Sequence, residues 1–160
     1  MADKKTRLLL WKATETRKHD IIPKVLAKGI PIDEPLTEAG MVGLHLACAQ
    51  GDLDSARIFI ENGADVNSSD KVGRTALHFA SANGESPDLI DFLISNGANP
   101  NAQSSGGDTP LIKAILFDNA EVVRSLIEGG ADKTISNASG RDAISFAEAS
   151  KNEDIIALLD

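Results

Sequence analysis

Three columns of residues repeat along this chain with one shared period. Leu10, Leu44, Leu77, Leu111 and Ile144 lie 34, 33, 34 and 33 residues apart, and Ala13, Ala47, Ala80, Ala114 and Ala147 follow three positions later. Gly29, Gly63, Gly97 and Gly130 recur at 34, 34 and 33. A period of this length means stacked units, none of which can bury its own apolar face alone. The 160 residues therefore read as one elongated domain without an attached effector domain.

Each unit carries the signals of two short helices. Leu44, Ala47 and Cys48 keep helical spacing within Gly43–Gln50, and a turn follows at Gly51 or, one unit on, at Gly84. Asp52, Ser86, Asn119 and Asn152 then stand where a second helix needs an N-cap, with Pro87 favourably placed just inside one of them. Ala56, Phe59 and Ile60, like Val122, Val123, Leu126 and Ile127, repeat at helical spacing toward a glycine C-cap at Gly63, Gly97 or Gly130. A polar connection of about ten residues, such as Asp65–Arg74, leads to the next unit. Aromatics are only 4% of the chain, with one Trp and no Tyr. The core is therefore aliphatic, and its small Ala columns let neighbouring helices approach closely.

Gly73-Arg-Thr-Ala-Leu-His-Phe-Ala80, Gly107-Asp-Thr-Pro-Leu111 and Gly63-Ala-Asp-Val-Asn67 resemble the ankyrin repeat, and the resemblance runs from about residue 6 to 160. It implies an all-α ankyrin-repeat solenoid of stacked helix-turn-helix units joined by β-hairpin-like loops, with about five helix pairs including caps. A degenerate N-terminal cap at 6–36 precedes repeats at 37–69, 70–103 and 104–136 and a capping repeat at 137–160. Trp11 replaces the motif histidine in the first unit, and Pro23 falls early in its second helix. Ile112 and Asp118 replace the motif His and Gly in the fourth unit. Asp142-Ala-Ile-Ser145 replaces Thr-Pro-Leu-His in the last.

Catalytic chemistry finds little to work with. His45 and His78 sit one unit apart on neighbouring helices, roughly 8–10 Å between axes, too far to converge on a metal ion. The resemblance implies that each bonds a neighbouring turn. Cys48 faces the core by pattern, as an inert thiol would. No phosphate-binding loop, dinucleotide fingerprint or zinc-protease motif occurs. No catalytic, cofactor or metal residues are expected.

Charge is uneven. Residues 1–28 hold eight Lys/Arg against three acids, a net of +5, while the remaining 132 residues carry −13. A body so acidic repels nucleic acid and favours a basic protein surface. The basic segment 1–28 offers a different role, recruitment to an acidic or anionic surface, or is simply a solvated helix face. A structural subunit of a larger complex is a further alternative. No apolar run is long enough to span a bilayer, no signal peptide is evident, and one cysteine makes no internal disulfide. These features point to an intracellular monomer, cytoplasmic or nuclear.

The resemblance further implies binding of a protein partner through a concave face and hairpin tips, as an adaptor, assembly factor or inhibitor. Carried over by column, the binding residues are Met41, Gln50, Lys71, Val72, Arg74, Asn83, Asp108, Leu116, Phe117 and Arg141. Leu116-Phe117 stands out among small or polar neighbours, as an interface anchor or as a plug for the glycine-less turn at Asp118. Asn67 and Asn101 occupy the turn position that resembles an asparaginyl-hydroxylase substrate. Each also serves to brace its turn, the commoner role of an asparagine there.

Overall fold

The computed structural model describes residues 3–160. Among these, ten helices alternate along the chain. One row comprises α1 (Lys4–Glu15), α3 (Gly43–Ala49), α5 (Ala76–Asn83), α7 (Pro110–Leu116) and α9 (Ala143–Ser150). The other comprises α2 (Ile22–Leu26), α4 (Leu53–Glu61), α6 (Pro87–Ser95), α8 (Ala120–Glu128) and α10 (Glu153–Leu159). Each helix packs on the next of its own row and on its partner in the pair. The repeating columns supply that packing: Leu10, Leu44, Leu77, Leu111 and all five column alanines are buried between the rows.

The second-helix caps form as the side-chain chemistry requires. Asp52, Ser86, Asn119 and Asn152 each accept a backbone N–H from the first turn of their helix. Asp3 does the same for α1, accepting from Thr6. In α2, a helix of five residues, Pro23 falls in the first turn and removes no needed donor.

The connecting loops are tighter than hairpins of regular strands. Among the described residues the β pairing is one isolated bridge, Ser69 to Thr75. Each turn is closed by backbone bonds, such as Asp70 N to Arg74 O and Asn137 N to Arg141 O, reinforced by side chains: Asp70 Oδ1 accepts from Val72 N and Arg74 N, and Asn137 Oδ1 from Ser139 N and Arg141 N. Four residues per tip leave no length for a ladder within one hairpin. Adjacent tips are linked to each other by single backbone bonds, Lys71 N to Ala39 O at 3.0 Å, Ser105 N to Val72 O at 2.9 Å and Ala138 N to Gly106 O at 2.9 Å.

One turn column demands a left-handed backbone in every unit. Gly51 and Gly84 meet it with φ of 66° and 71°, but the same column holds Arg17, Asp118 and Lys151 at 51°, 58° and 60°. Such residues carry about 1–2 kcal/mol of local strain. Asp118 recovers some of it, because its Oδ1 accepts from Asn152 Nδ2 at 2.7 Å. The exposed Lys151 has no such bond, so Lys151→Gly is expected to stabilise the fold by about 0.5–1 kcal/mol. A melting temperature raised by about 1–4 °C is the readout. No rise would show the turn to be unstrained.

Candidate protein-binding face

The face lined by hairpin bases and α1, α3, α5, α7 and α9 is organised by a second periodicity. A hairpin residue and the residue five positions later on the following helix are brought together in successive units. Arg74 lies over the Phe79 ring at 4.6 Å, Lys113 Nζ pairs with Asp108 Oδ2 at 2.7 Å, and Arg141 lies over Phe146 at 4.0 Å. Met41 and Leu46 hold the same two positions in the first full unit. The hairpin members Met41, Arg74, Asp108 and Arg141 were expected at the surface. Leu46, Phe79, Lys113 and Phe146 complete the face, and their own 33, 34, 33 spacing is the signal that finds them.

Several of these charges are already committed. Arg74 also pairs with Asp70 at 2.7 Å. Burial would raise the Asp70 carboxyl, but hydrogen bonds from Arg74 and Val72 and the Arg74 charge outweigh it and hold it below its ordinary value. Asp108 is likewise held low: burial opposes, while Lys113 and Asn137 donate to it. Lys71 and Val72 sit exposed at a hairpin tip, Val72 at 48%.

Gln50 and Asn83 depart from the expectation that they face outward. Gln50 Nε2 donates to Glu15 O at 3.3 Å, and Asn83 Nδ2 to Ala49 O at 3.1 Å. Glu15 and Ala49 are the last residues of α1 and α3, whose terminal carbonyls have no partner within the helix. The next unit's side chain supplies the missing donor. Phe117 holds the same column and supplies none.

Leu116 and Phe117 are therefore distinct. They are 51% and 61% exposed, so Phe117 does not plug the turn at Asp118. Leu116 opens onto a groove of ≈ 370 Å³ that it lines with Ile115, Asp118, Arg141 and Phe146. The groove joins Leu116 to the last Arg–Phe stack.

Both turn asparagines bridge to the next unit. Asn67 donates to Gly97 O at 2.9 Å and accepts from Asn99 N at 2.8 Å, while Asn101 donates to Gly130 O at 3.2 Å and accepts from Asp132 N at 2.7 Å. Each amide thus braces its turn.

The two buried histidines tie their helices to connecting loops, and His78 thereby joins its unit to the next. Nδ1 of His45 accepts from Val42 N and Nδ1 of His78 from Thr75 N. The opposite ring nitrogens meet Ser68 O and Asp108 O, each at 2.9 Å. A neutral ring with its proton on Nε2 satisfies both bonds. Burial lowers both pKa values below the ordinary histidine value. The unfolded chain then binds more protons than the folded one below about pH 6.5, so stability falls on acidification. Between pH 7 and 5.5 the melting temperature is expected to fall, each ring contributing at most about 1.4 kcal/mol per pH unit. His78→Gln is expected to flatten that slope, and an unchanged slope would refute the assignment. Cys48 is buried, and burial pushes its thiol up. His19, Asp52 and Asp54 bring three ligand atoms within 4.8 Å of one another. Asp52 is occupied there, capping α4, accepting from Ser55 and contacting His19 Nε2.

A family model described as "Ankyrin repeats (3 copies)" matches residues 9–104 and 77–159. The chain belongs to the ankyrin-repeat family. It is 32% identical over 148 residues to the zebrafish (Danio rerio) neurogenic locus notch homolog protein 1, covering 92% of this chain and 6% of that protein. It is 34% identical over 119 residues to the neurogenic locus Notch protein of Drosophila melanogaster, covering 74% of the chain and 4% of the relative. Human BCL-6 corepressor-like protein 1 is 38% identical over 85 residues, 53% of the chain and 5% of the relative. The chain thus corresponds to a small fraction of each relative's length. Ankyrin repeats form a protein-interaction fold, and no helix among the described residues is long and apolar enough to cross a membrane.

Proposed function

We propose that this ankyrin stack is a non-enzymatic adaptor that binds a protein partner through its concave face, centred on Leu116 and Phe117. The exposure of these two side chains, where the equivalent Gln50 and Asn83 are tied back to the preceding helix, is the observation that carries the reading. Buried aromatic and aliphatic anchors supply most of the energy in protein interfaces. Arg141 and Phe146 form the far wall of the same groove. The net −13 of residues 29–160 favours a partner with a basic surface, which it attracts over long range. A reducing, intracellular setting fits the lone, buried Cys48.

Affinity capture from lysate with wild type and a Leu116→Ser, Phe117→Ser variant tests this reading. A partner held by wild type and lost by the folded variant is the expected result. Association with that partner is expected to slow several-fold between 50 and 300 mM salt, because screening removes the attraction. A partner held equally by both proteins would move the site elsewhere.

A further inference from the structure

The hairpin cations of the binding face are not equally neutralised. Asp70 and Asn137 stand in one column two units apart, and the backbone N–H of each closes its hairpin on the carbonyl of Arg74 or Arg141. In both residues Oδ1 accepts two amides of the tip. The second terminal atom differs. Asp70 Oδ2 takes Nε and Nη2 of Arg74 at 2.9 and 2.7 Å. Asn137 has an Nδ2 there, which donates instead to Asp108 Oδ1 at 2.9 Å. The exposed Arg141 thus forms no ion pair with a carboxylate among the described residues. One bond from Nη2 to Ser145 O at 3.2 Å and the Phe146 ring at 4.0 Å hold its guanidinium beside the groove.

We infer that Arg141 receives a carboxylate of the partner, an Asp or Glu placed next to the apolar side chain that fills the groove against Leu116. The inference rests on the concave-face reading above and adds the partner's chemistry to it. Arg141 and Leu116 line one groove, so a partner seated against one covers the other. Covering a guanidinium without an acceptor is costly, and a carboxylate meets its planar fork with two charge-assisted bonds. The stack on Phe146 sets the fork in advance, so less side-chain freedom is lost on binding. Asp118 lines the same groove but is engaged by Asn152 rather than by Arg141. A phosphate group, with nearly two negative charges, would meet that carboxylate with one guanidinium to balance it. An Asp or Glu brings one charge for one guanidinium. The net −13 of residues 29–160 attracts basic surroundings from a distance, and Arg141 selects the one acid within them.

A displayed library of random dodecapeptides is panned on wild type, and each enriched peptide is titrated against the Leu116→Ser, Phe117→Ser variant and against Arg141→Met. The second change removes the fork and leaves an unbranched side chain over Phe146, and circular dichroism checks the fold of both variants. The expected result is enrichment of an Asp or Glu beside a Leu, Ile or Phe, with binding about tenfold or more weaker to either variant. Exchanging the acid of the peptide for Lys is expected to abolish binding to wild type and to restore it to Arg141→Glu. No enrichment, peptides without acids, or equal binding to Arg141→Met would overturn the inference. Peptides that ignore Arg141→Met yet are lost by the Leu116→Ser, Phe117→Ser variant would do so while leaving the concave-face reading intact. Peptides held equally by the Leu116→Ser, Phe117→Ser variant would instead remove that reading, and this inference with it. Displacement of the peptide by inorganic phosphate but not by acetate would assign Arg141 to a phosphate group and overturn the carboxylate.

Discussion

Phe59→Ala is expected to lower the unfolding free energy by about 3–5 kcal/mol, a large share of the margin of an ordinary domain. Phe59 is the bulkiest of the fully buried side chains, and its ring fills the space left by the absent side chain of Gly43. A Cβ at Gly43 would lie 2.3 Å from Phe59 Cε1 and Cζ. Gly43→Ala alone is therefore expected to cost about 1–3 kcal/mol by overpacking. The two sites are coupled, so Gly43→Ala combined with Phe59→Leu is expected to cost less than the sum of the single changes. Urea denaturation measures wild type, Phe59→Ala, Gly43→Ala, Phe59→Leu and the double variant. Strict additivity would mean that ring and glycine do not share this space.

The Leu116→Ser, Phe117→Ser variant is the counterpart for binding. Both side chains are largely solvated, so stability should move by about 0.5 kcal/mol or less per site. Loss of two apolar anchors at the centre of an interface costs about 2–4 kcal/mol, a weakening of roughly 30- to 1,000-fold. Isothermal titration of the captured partner against both proteins reads this directly. A change below about threefold would place the binding energy at the hairpin tips, around Lys71 and Val72.

The period carried the architecture into the sequence. Leu10 to Leu111 and Ala13 to Ala147 mark the buried seam, and Asp52, Ser86, Asn119 and Asn152 mark the helix starts, because each acts through contacts local to its own unit. What stayed hidden acts between units. The turning back of Gln50 and Asn83 depends on where the preceding helix ends, and the fit of Phe59 to Gly43 on how a helix pair closes. The stacking of Arg74 and Arg141 on phenylalanine five residues later depends on the approach of hairpin to helix. Sequence columns name the residues at these places. The geometry of the stack decides which of them touch.

His45 ties its helix to the loop that leads out of its own unit and His78 to the hairpin of the following one, yet the next member of that column is Ile112, whose side chain can make no such bond. The last helix pair is held instead by bonds from Asn152 to Asp118 and from Ala138 N to Gly106 O, and the groove beside Leu116 lies along that interface. A partner that seats there would bridge the last two units, so occupancy should be felt as protection of α9 and α10 backbone amides from solvent exchange.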